Sequence, residues 1–226
     1  RGGGFTASNS SAKWTVTPET AIGEPPPELR HVNMCGIAAA LRELRDPPIQ
    51  ALVVYNANPA ATAPEQAQLV AELARDDLFV VVHEQVWTDT AKLADVVLPA
   101  TAFLEHRELR RGYGTMRMYD SPAVAAPPGE ARSNNQLFGA LLERMGLARP
   151  GDATTDEELV AATFAASTDG ATLRAQLARD GVAMPIGEPR PIPFADVFPA
   201  SGRVHLVPPA LDRAAGGLYA YKPDPE

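Results

Sequence analysis

Three short apolar runs, separated by connections of limited length, constrain the fold of this chain more than any other feature. The runs are ALVVY at Ala51–Tyr55, LFVVVHE at Leu78–Glu84 and DVVLP at Asp95–Pro99. Valine and leucine dominate each run, as expected of strands that are buried on both faces of a sheet. A helical segment follows the first run and a shorter one follows the second, so the pattern predicts a βαβαβ unit with parallel strands. The predicted class is α/β, with a parallel sheet flanked by helices.

Capping signals and apolar spacing predict the helices. Before the first strand, VNMCGIAAALRELRD predicts a helix over about Cys35–Arg45. Thr62 and Glu65 have the spacing of a capping box, with Pro64 in the first turn, and Thr88 is the expected N-cap of a short helix. Three more helices are predicted later in the chain: one capped by Ser133 and Gln136 with an apolar face of Leu137, Phe138, Leu141, Leu142 and Met145, one capped by Thr155 and Glu158, and one over DGATLRAQLARDG.

Glycine and proline divide the chain into unequal parts. Residues 1–30 are rich in glycine, serine and proline and predict a flexible arm, while residues 31–150 hold the α/β domain. Residues 151–200 predict a helical extension, and residues 201–226, with a strand at Arg203–Val207, are expected to lead into a further domain that is missing here. The 22 prolines indicate irregular connections such as SPAVAAPPGEA, and GTMRMYD predicts one more strand.

Charge and cysteine content exclude several kinds of site. The formal net charge of −8 argues against a nucleic-acid surface, because phosphate binding requires clustered lysine and arginine. Cys35 is the only cysteine, which excludes an internal disulfide, a cysteine-rich zinc site and a cysteine-ligated iron–sulfur cluster within this segment. No apolar run is long enough to span a bilayer. The chain also lacks the GxGxxG, P-loop, GxSxG and HExxH motifs.

Polar side chains follow the first two predicted strands. Asn56 and Asn58 come after the first strand, His83 and Glu84 end the second, and Thr88 follows shortly afterwards. Because ligands of an open parallel sheet bind at the carboxyl ends of its strands, we expect a nucleotide-like crevice here.

Each of these residues also has a purely structural interpretation. The two asparagines can make a turn, His83 can simply finish a strand, and Thr88 can cap a helix rather than meet a phosphate. Glu84 can accept hydrogen bonds from a base or remain a solvated carboxylate. A metal held by side chains is rejected, since no second histidine or cysteine lies at ligand spacing from His83.

The segment HRELRRG is a basic exception in an acidic chain. Glu105 and Glu108 resemble a catalytic carboxylate pair, but Arg107, Arg110 and Arg111 stand among them. This mixture favours a solvated surface of ion pairs. The alternative is that the arginines reach a phosphate.

Four segments, in order, resemble the molybdopterin-dependent oxidoreductases of the dimethyl sulfoxide reductase superfamily. They are ALVVYNANPAATAPEQ, DDLFVVVHEQVWTDTAKLADVVLPATAFLEH, YGTMRMYDSPAVAAPPGEARSN and FPASGRVHL, which together span roughly residues 50–207. The opening RGGG is similar to the glycine-rich segment that precedes this region in the family.

The resemblance implies an internal piece of a longer enzyme. Residues 31–150 would be part of a Rossmann-like domain that holds a molybdopterin guanine dinucleotide with molybdenum or tungsten. An iron–sulfur cluster and any export signal would belong to the missing N-terminal region, which leaves the cytoplasm and the periplasm both open. The implied partners are the remaining domains and an electron-transfer subunit. The isolated fragment is expected to bind no cofactor, to be inactive and to self-associate through surface that is normally covered.

By the same resemblance, Asn56 and Asn58 lie close to the dinucleotide, and His83 and Glu84 contact its nucleoside end, with Thr88 nearby. A carboxylate such as Glu84 suits guanine, because it accepts from N1–H and the exocyclic amine together. His106 and Asn134 match positions that add polar contacts in some members. Two other functions stay open: a cofactor-free structural relative, as in the large iron–sulfur subunit of respiratory complex I, and a freestanding nucleotide-binding module.

Overall fold

The computed structural model describes residues 14–16, 29–112 and 115–185. The helices in these residues are α1 (Ile37–Glu43), α2 (Pro59–Thr62), α3 (Gln66–Leu73), α4 (Asn134–Arg144), α5 (Asp156–Ala166) and α6 (Gly170–Asp180), with short 3-10 turns at Met34–Gly36 and Ala91–Leu93. The strands are β1 (Ala51–Tyr55), β2 (Phe79–Glu84), β3 (Val96–Pro99), β4 (Glu108–Arg111) and β5 (Met118–Ser121).

A three-stranded parallel sheet, in the order β1-β2-β3, is the centre of the fold. Tyr55 lies beside His83, and His83 lies beside Leu98, so the strands end at nearly the same level. The predicted α/β class, with a parallel sheet and flanking helices, is therefore confirmed.

One face of this sheet carries the first core. Helices α1 and α3 contribute Ala38, Leu41, Leu69 and Leu73, which pack on Val54, Val80 and Val82 of the strands. Small and branched side chains recur at helical spacing in α1 and α3, and at every second residue in the strands. These two spacings put the apolar side chains on one face of each helix and one face of the sheet, where they bury each other. The opposite face is less covered, and Val53 and Phe79 are exposed there.

Two predicted helix starts are wrong in detail. Thr62 and Glu65 form no capping box, because the chain makes the short helix α2 and then bends at Glu65, whose φ of 57° is left-handed. Pro64 lies between the two helices rather than in a first turn. The 3-10 turn after β2 begins after Thr90, although the Thr88 hydroxyl still accepts from the amide of Ala91 at 3.2 Å.

The basic segment forms a strand that the sequence did not predict as such. Strand β4 pairs antiparallel with β5, the strand predicted from GTMRMYD. Arg107, just before β4, binds Asp120 of β5 with two hydrogen bonds.

The second core lies under the C-terminal helices. Val160, Phe164, Leu173 and Leu177 of α5 and α6 pack with Met118 and Ala183, and Val16 completes the cluster. The amide of Thr15 donates to the carbonyl of Pro185 at 2.9 Å, so this piece of the N-terminal region contacts the end of the described chain.

Both predicted C-terminal capping boxes are confirmed. Ser133 with Gln136 caps α4, and Thr155 with Glu158 caps α5. Met145 was predicted in the apolar face of α4 but is 67% exposed, because it follows the last helical residue. The strand predicted at Arg203–Val207 and the lead-in segment lie outside the described residues. Among the residues described, no helix has the length and apolar character needed to cross a bilayer.

Candidate functional site

A cleft of about 630 Å³ opens at the carboxyl ends of the three parallel strands. Its walls come from the residues after β1, β2 and β3, from β4, and from the N-terminal ends of α4 and α5. The lining residues are Asn56, Ala57, Asn58, Glu84, Gln85, Ala100, Thr101, Phe103, His106, Arg107, Glu108, Leu109, Arg132, Ser133, Asn134, Asn135, Asp156, Leu159, Val160 and Thr163. The cleft therefore lies between the two cores.

Five of the seven predicted site residues line this cleft. They are Asn56, Asn58, Glu84, His106 and Asn134. His83 and Thr88 are not in the lining: His83 lies beneath the surface with 1% exposure, and the Thr88 hydroxyl accepts from the amide of Ala91 in the turn after β2.

The two asparagines after β1 have different structural roles. Asn56 adopts a left-handed φ of 52°, which asparagine tolerates better than most residues and which turns the chain sharply out of the strand. The Asn58 oxygen accepts from the amide of Thr90 at 3.1 Å and from its hydroxyl at 2.8 Å. Thr90, which is fully buried, also accepts from the amide of Ala60 at 3.0 Å. This network joins the loop after β1 to the loop after β2 and shapes one wall of the cleft.

The end of β2 and the segment after β3 form the adjacent wall. A Glu84 carboxylate oxygen accepts from the amide of Gln85 at 2.7 Å. The Gln85 side chain donates to the carbonyl of Thr101 at 3.0 Å, and the Thr101 hydroxyl lies 2.9 Å from Nδ1 of His106. Glu84 and His106 are both half-buried, so a ligand in the cleft can reach them.

Four charged residues of the cleft, Arg107, Glu108, Arg132 and Asp156, were not assigned to it from sequence. The hydrogen bonds from Arg107 to Asp120 raise the pKa of the guanidinium further above its ordinary value, so this arginine stays charged. Asp156 is 7% exposed and accepts from the Asn135 side chain at 2.6 Å. The sequence marks Asp156 only as the residue directly after the N-cap Thr155. That pattern indicates a helix start and does not indicate a binding site.

This set of groups suits a polar organic ligand better than a bare metal ion. Amides, carboxylates, an imidazole and the exposed Arg132 give donors and acceptors of both charges around one space. In the described ranges, no group of three or more histidine, cysteine, aspartate or glutamate side chains could hold a metal ion.

Sequence comparisons show which family this chain resembles. The family model for molybdopterin oxidoreductases matches residues 9–144. A probable oxidoreductase of Bacillus subtilis, YoaE, is 38% identical over 142 residues, which are 63% of this chain and 19% of that protein. The trimethylamine-N-oxide reductase of Haemophilus influenzae is 34% identical over 107 residues, or 46% of this chain and 13% of that protein.

A solved structure supports the fold. Acetylene hydratase from Pelobacter acetylenicus matches with a TM-score of 0.55 and 24% identity, over 68% of this chain and 21% of that one. At this identity the likeness supports the fold alone. The chain spans no more than about a fifth of these relatives. Because the family model covers more than half of the chain, the chain belongs to the molybdopterin oxidoreductase family.

Proposed function

We propose that this chain forms part of the site that binds the nucleotide end of a molybdopterin guanine dinucleotide, within a longer molybdenum or tungsten oxidoreductase. The observation that carries the proposal is the polar cleft at the carboxyl ends of β1, β2 and β3, which lies largely within the family-matched residues. Parallel sheets bind nucleotides at this edge because the strand-end loops converge there.

The residues of the cleft fit the chemistry of a guanine nucleotide. Glu84 offers a carboxylate that can accept from guanine N1–H and the exocyclic amine together. Asn56, His106 and Asn134 add polar groups, and Arg132 offers a positive charge for phosphate. When bound, the cofactor supplies the two-electron chemistry, and this chain's residues bind and orient its nucleotide end.

The less covered face of the sheet supports a place within a longer chain. Val53 is 44% exposed, Phe79 51% and Val96 37%, and alternation along the strands puts all three on one face. Parallel sheets are normally covered on both faces. We assign this surface to the rest of the longer protein, because this chain spans only 19% and 13% of the length of the two relatives compared above. A chain isolated from those domains should self-associate through this face.

Metal and pterin analysis of the full-length protein tests the proposal. We expect stoichiometric molybdenum or tungsten together with a guanine-containing pterin. The absence of both from protein purified from its own source would contradict the proposal and favour a cofactor-free structural relative. Tight nucleotide binding by the isolated chain would favour a freestanding nucleotide-binding module. We expect the isolated chain to contain no metal and to have no oxidoreductase activity, so metal found in it would contradict the proposed division of the site.

A pair of variants tests the role of Glu84. Glu84→Ala should lower the cofactor content of the full-length protein about tenfold, because it removes a charge-assisted acceptor. Glu143→Ala, in an exposed glutamate of α4 outside the cleft lining, is the matched control and should leave the content unchanged. Equal cofactor content in both variants would exclude the guanine contact.

A further inference from the structure

The buried His83 connects the centre of the sheet to one wall of the cleft. The residue is 1% exposed, and both ring nitrogens have oxygen partners. Nε2 lies 3.1 Å from the carbonyl oxygen of Arg132, and Nδ1 lies 3.2 Å from the side-chain oxygen of Asn134. Both partners belong to residues that line the cleft, although His83 does not.

The partner of Nε2 determines which nitrogen carries the proton. A carbonyl oxygen can only accept, so Nε2 must donate to Arg132. The same carbonyl also accepts from the amide of Thr101 at 3.1 Å, which uses its second lone pair. The carbonyl is therefore held by two donors, and the Nε2–H form of His83 is selected.

The partner of Nδ1 must then adapt to the ring. A neutral ring with Nε2–H has only a lone pair at Nδ1, so it needs a donor there. A ring protonated at both nitrogens would suit the Asn134 oxygen at Nδ1, but burying that charge costs free energy, and both of its ring partners are uncharged. The side-chain amide of Asn134 can supply a donor by a half turn, because its oxygen and nitrogen are nearly equal in shape.

Hydrogen bonds fix the backbone on both sides of Asn134, so only its side chain can reorient to supply a donor to Nδ1 of His83. The amide of Arg132 donates to the carbonyl of Pro99 at 3.1 Å, which ties this segment to β3. Ser133, 3% exposed, caps α4 in a box with Gln136. Only the orientation of the amide remains free to respond to His83.

We propose that His83 is a positioning residue that holds the Asn134 amide with its nitrogen toward the ring and its oxygen toward the cleft. Asn134 then presents an acceptor, so this part of the cleft selects an N–H or O–H group of the ligand and not a phosphate oxygen. The selection of a ligand N–H or O–H group rests on the proposed function, whereas the ring protonation and the amide orientation do not.

Nuclear magnetic resonance of the full-length protein with ¹⁵N-labelled histidine tests the first statement without any change to the site. The His83 signals are identified by their loss in His83→Gln. We expect one protonated nitrogen, Nε2, and one unprotonated nitrogen, Nδ1. Protonation of both nitrogens, or of Nδ1 alone, would overturn the proposal.

Two substitutions of His83 test the link to ligand binding. Asparagine places its terminal amide near the Nδ1 position, so His83→Asn keeps a partner for Asn134 and loses the bond to Arg132. Glutamine reaches the Nε2 position, so His83→Gln does the reverse. We expect about fivefold less pterin in His83→Gln than in His83→Asn, the value of one hydrogen bond. Equal losses, or a larger loss in His83→Asn, would show a purely structural role.

The polarity of Asn134 provides the last test. Asn134→Asp keeps an acceptor toward the cleft, whereas Asn134→Leu removes it at similar volume. We expect at least threefold more bound pterin in the aspartate variant, because one hydrogen bond is retained. A greater loss in the aspartate variant would mean that Asn134 donates to an anionic group. If the wild-type protein contains no pterin, the proposed function fails, and the ring protonation still decides the orientation of Asn134.

Discussion

The two cores on either side of the cleft are assembled from the chain in different ways. The sheet core uses residues between Ala38 and Ala91, all within one stretch of sequence. The helical core joins Val16, Met118 and the segment from Val160 to Ala183, which are far apart in the chain. Contacts close in sequence lose less loop entropy when they form, so the sheet core is the more self-sufficient of the two. The cleft lies between them and depends on both.

Truncation of one leucine in each core is expected to have the largest effect. Leu69 is 0% exposed in the sheet core and Leu173 is 2% exposed in the helical core. Each change to alanine should cost about 2–5 kcal/mol, from lost burial and the cavity left behind. Hydrogen exchange of the full-length protein should accelerate in β2 for Leu69→Ala and in α6 for Leu173→Ala. Equal acceleration in both regions by either variant would show that the two cores are one cooperative unit.

Two glycine substitutions compare close packing in the two regions. A methyl group on Gly170 would collide with the carbonyl oxygen of Phe164, whereas a methyl group on Gly36, before α1, meets nothing within 4 Å. Gly170→Ala should therefore destabilise the helical region by about 1–3 kcal/mol. Gly36→Ala should be nearly neutral. Hydrogen exchange of α6 measures the effect, and unchanged exchange in Gly170→Ala would contradict this packing.

Two buried threonines compare the hydrogen bonding of the two regions. Thr90 joins two loops through Asn58 and Ala60, but the hydroxyl of Thr163 donates only to the carbonyl of Leu159 in its own helix, at 2.7 Å. Thr90→Val should lower the free energy of unfolding by about 1–3 kcal/mol, because the Ala60 amide and the Asn58 oxygen lose their bonds to the Thr90 hydroxyl. Thr163→Val should cost less, since the Leu159 carbonyl keeps its helical partner.

Thermal unfolding and cofactor content of the two threonine variants provide the measurements. We expect Thr90→Val to lower both, because the same network shapes a wall of the cleft. An equal loss of stability in Thr163→Val would mean that the loop network contributes nothing beyond burial.

The capping boxes give the smallest effects and a pH dependence. Thr155→Ala should lower the free energy of unfolding by about 1 kcal/mol, because the Thr155 side chain caps a helix. Thr62→Ala should lower it little, because the Thr62 side chain caps no helix. Hydrogen exchange of α5 and α3 measures the two costs.

Acidification should weaken the same box. The pKa of Glu158 lies below its ordinary value because the carboxylate accepts from the Thr154 amide and hydroxyl and the Thr155 amide. Its stabilisation is therefore full above the ordinary pKa of glutamate and is lost as the pH falls through the lowered pKa. Glu158→Gln should lose this dependence, measured as unfolding temperature against pH. A pH dependence equal to that of the wild type would show that other groups cause it.

The sequence prediction succeeded for some elements and failed for others, and the sheet region contains both outcomes. Strand β1 was predicted to the residue, and the capping boxes at Ser133 and Thr155 form as expected. The box expected at Thr62 does not form, because the chain makes α2 and bends at Glu65 before α3 begins. Identical spacing thus produces a cap in one place and a bend in another.

The candidate site shows the same limit. The sequence was enough to predict that Asn56, Asn58 and Glu84 lie at the same edge of the sheet, because the carboxyl ends of parallel strands meet at one edge. His106 and Asn134 were added by family resemblance, and both line the cleft. His83 was expected at the ligand, but strand alternation and α4 bury it behind Asn134. Arg107 and Asp156 belong to the cleft only because β4 and α5 come to lie against it.

Local patterns of burial and capping thus determined the parallel sheet, most of the helices and the edge at which polar groups collect. These features depend on residues close together in the chain, whose spacing is written in the sequence. The second core, the far wall of the cleft and the burial of His83 depend on contacts across 50 residues or more, such as His83 with Asn134 and Thr15 with Asp169. Only tertiary packing decides such contacts, because their free energy comes from segments that local propensity does not connect.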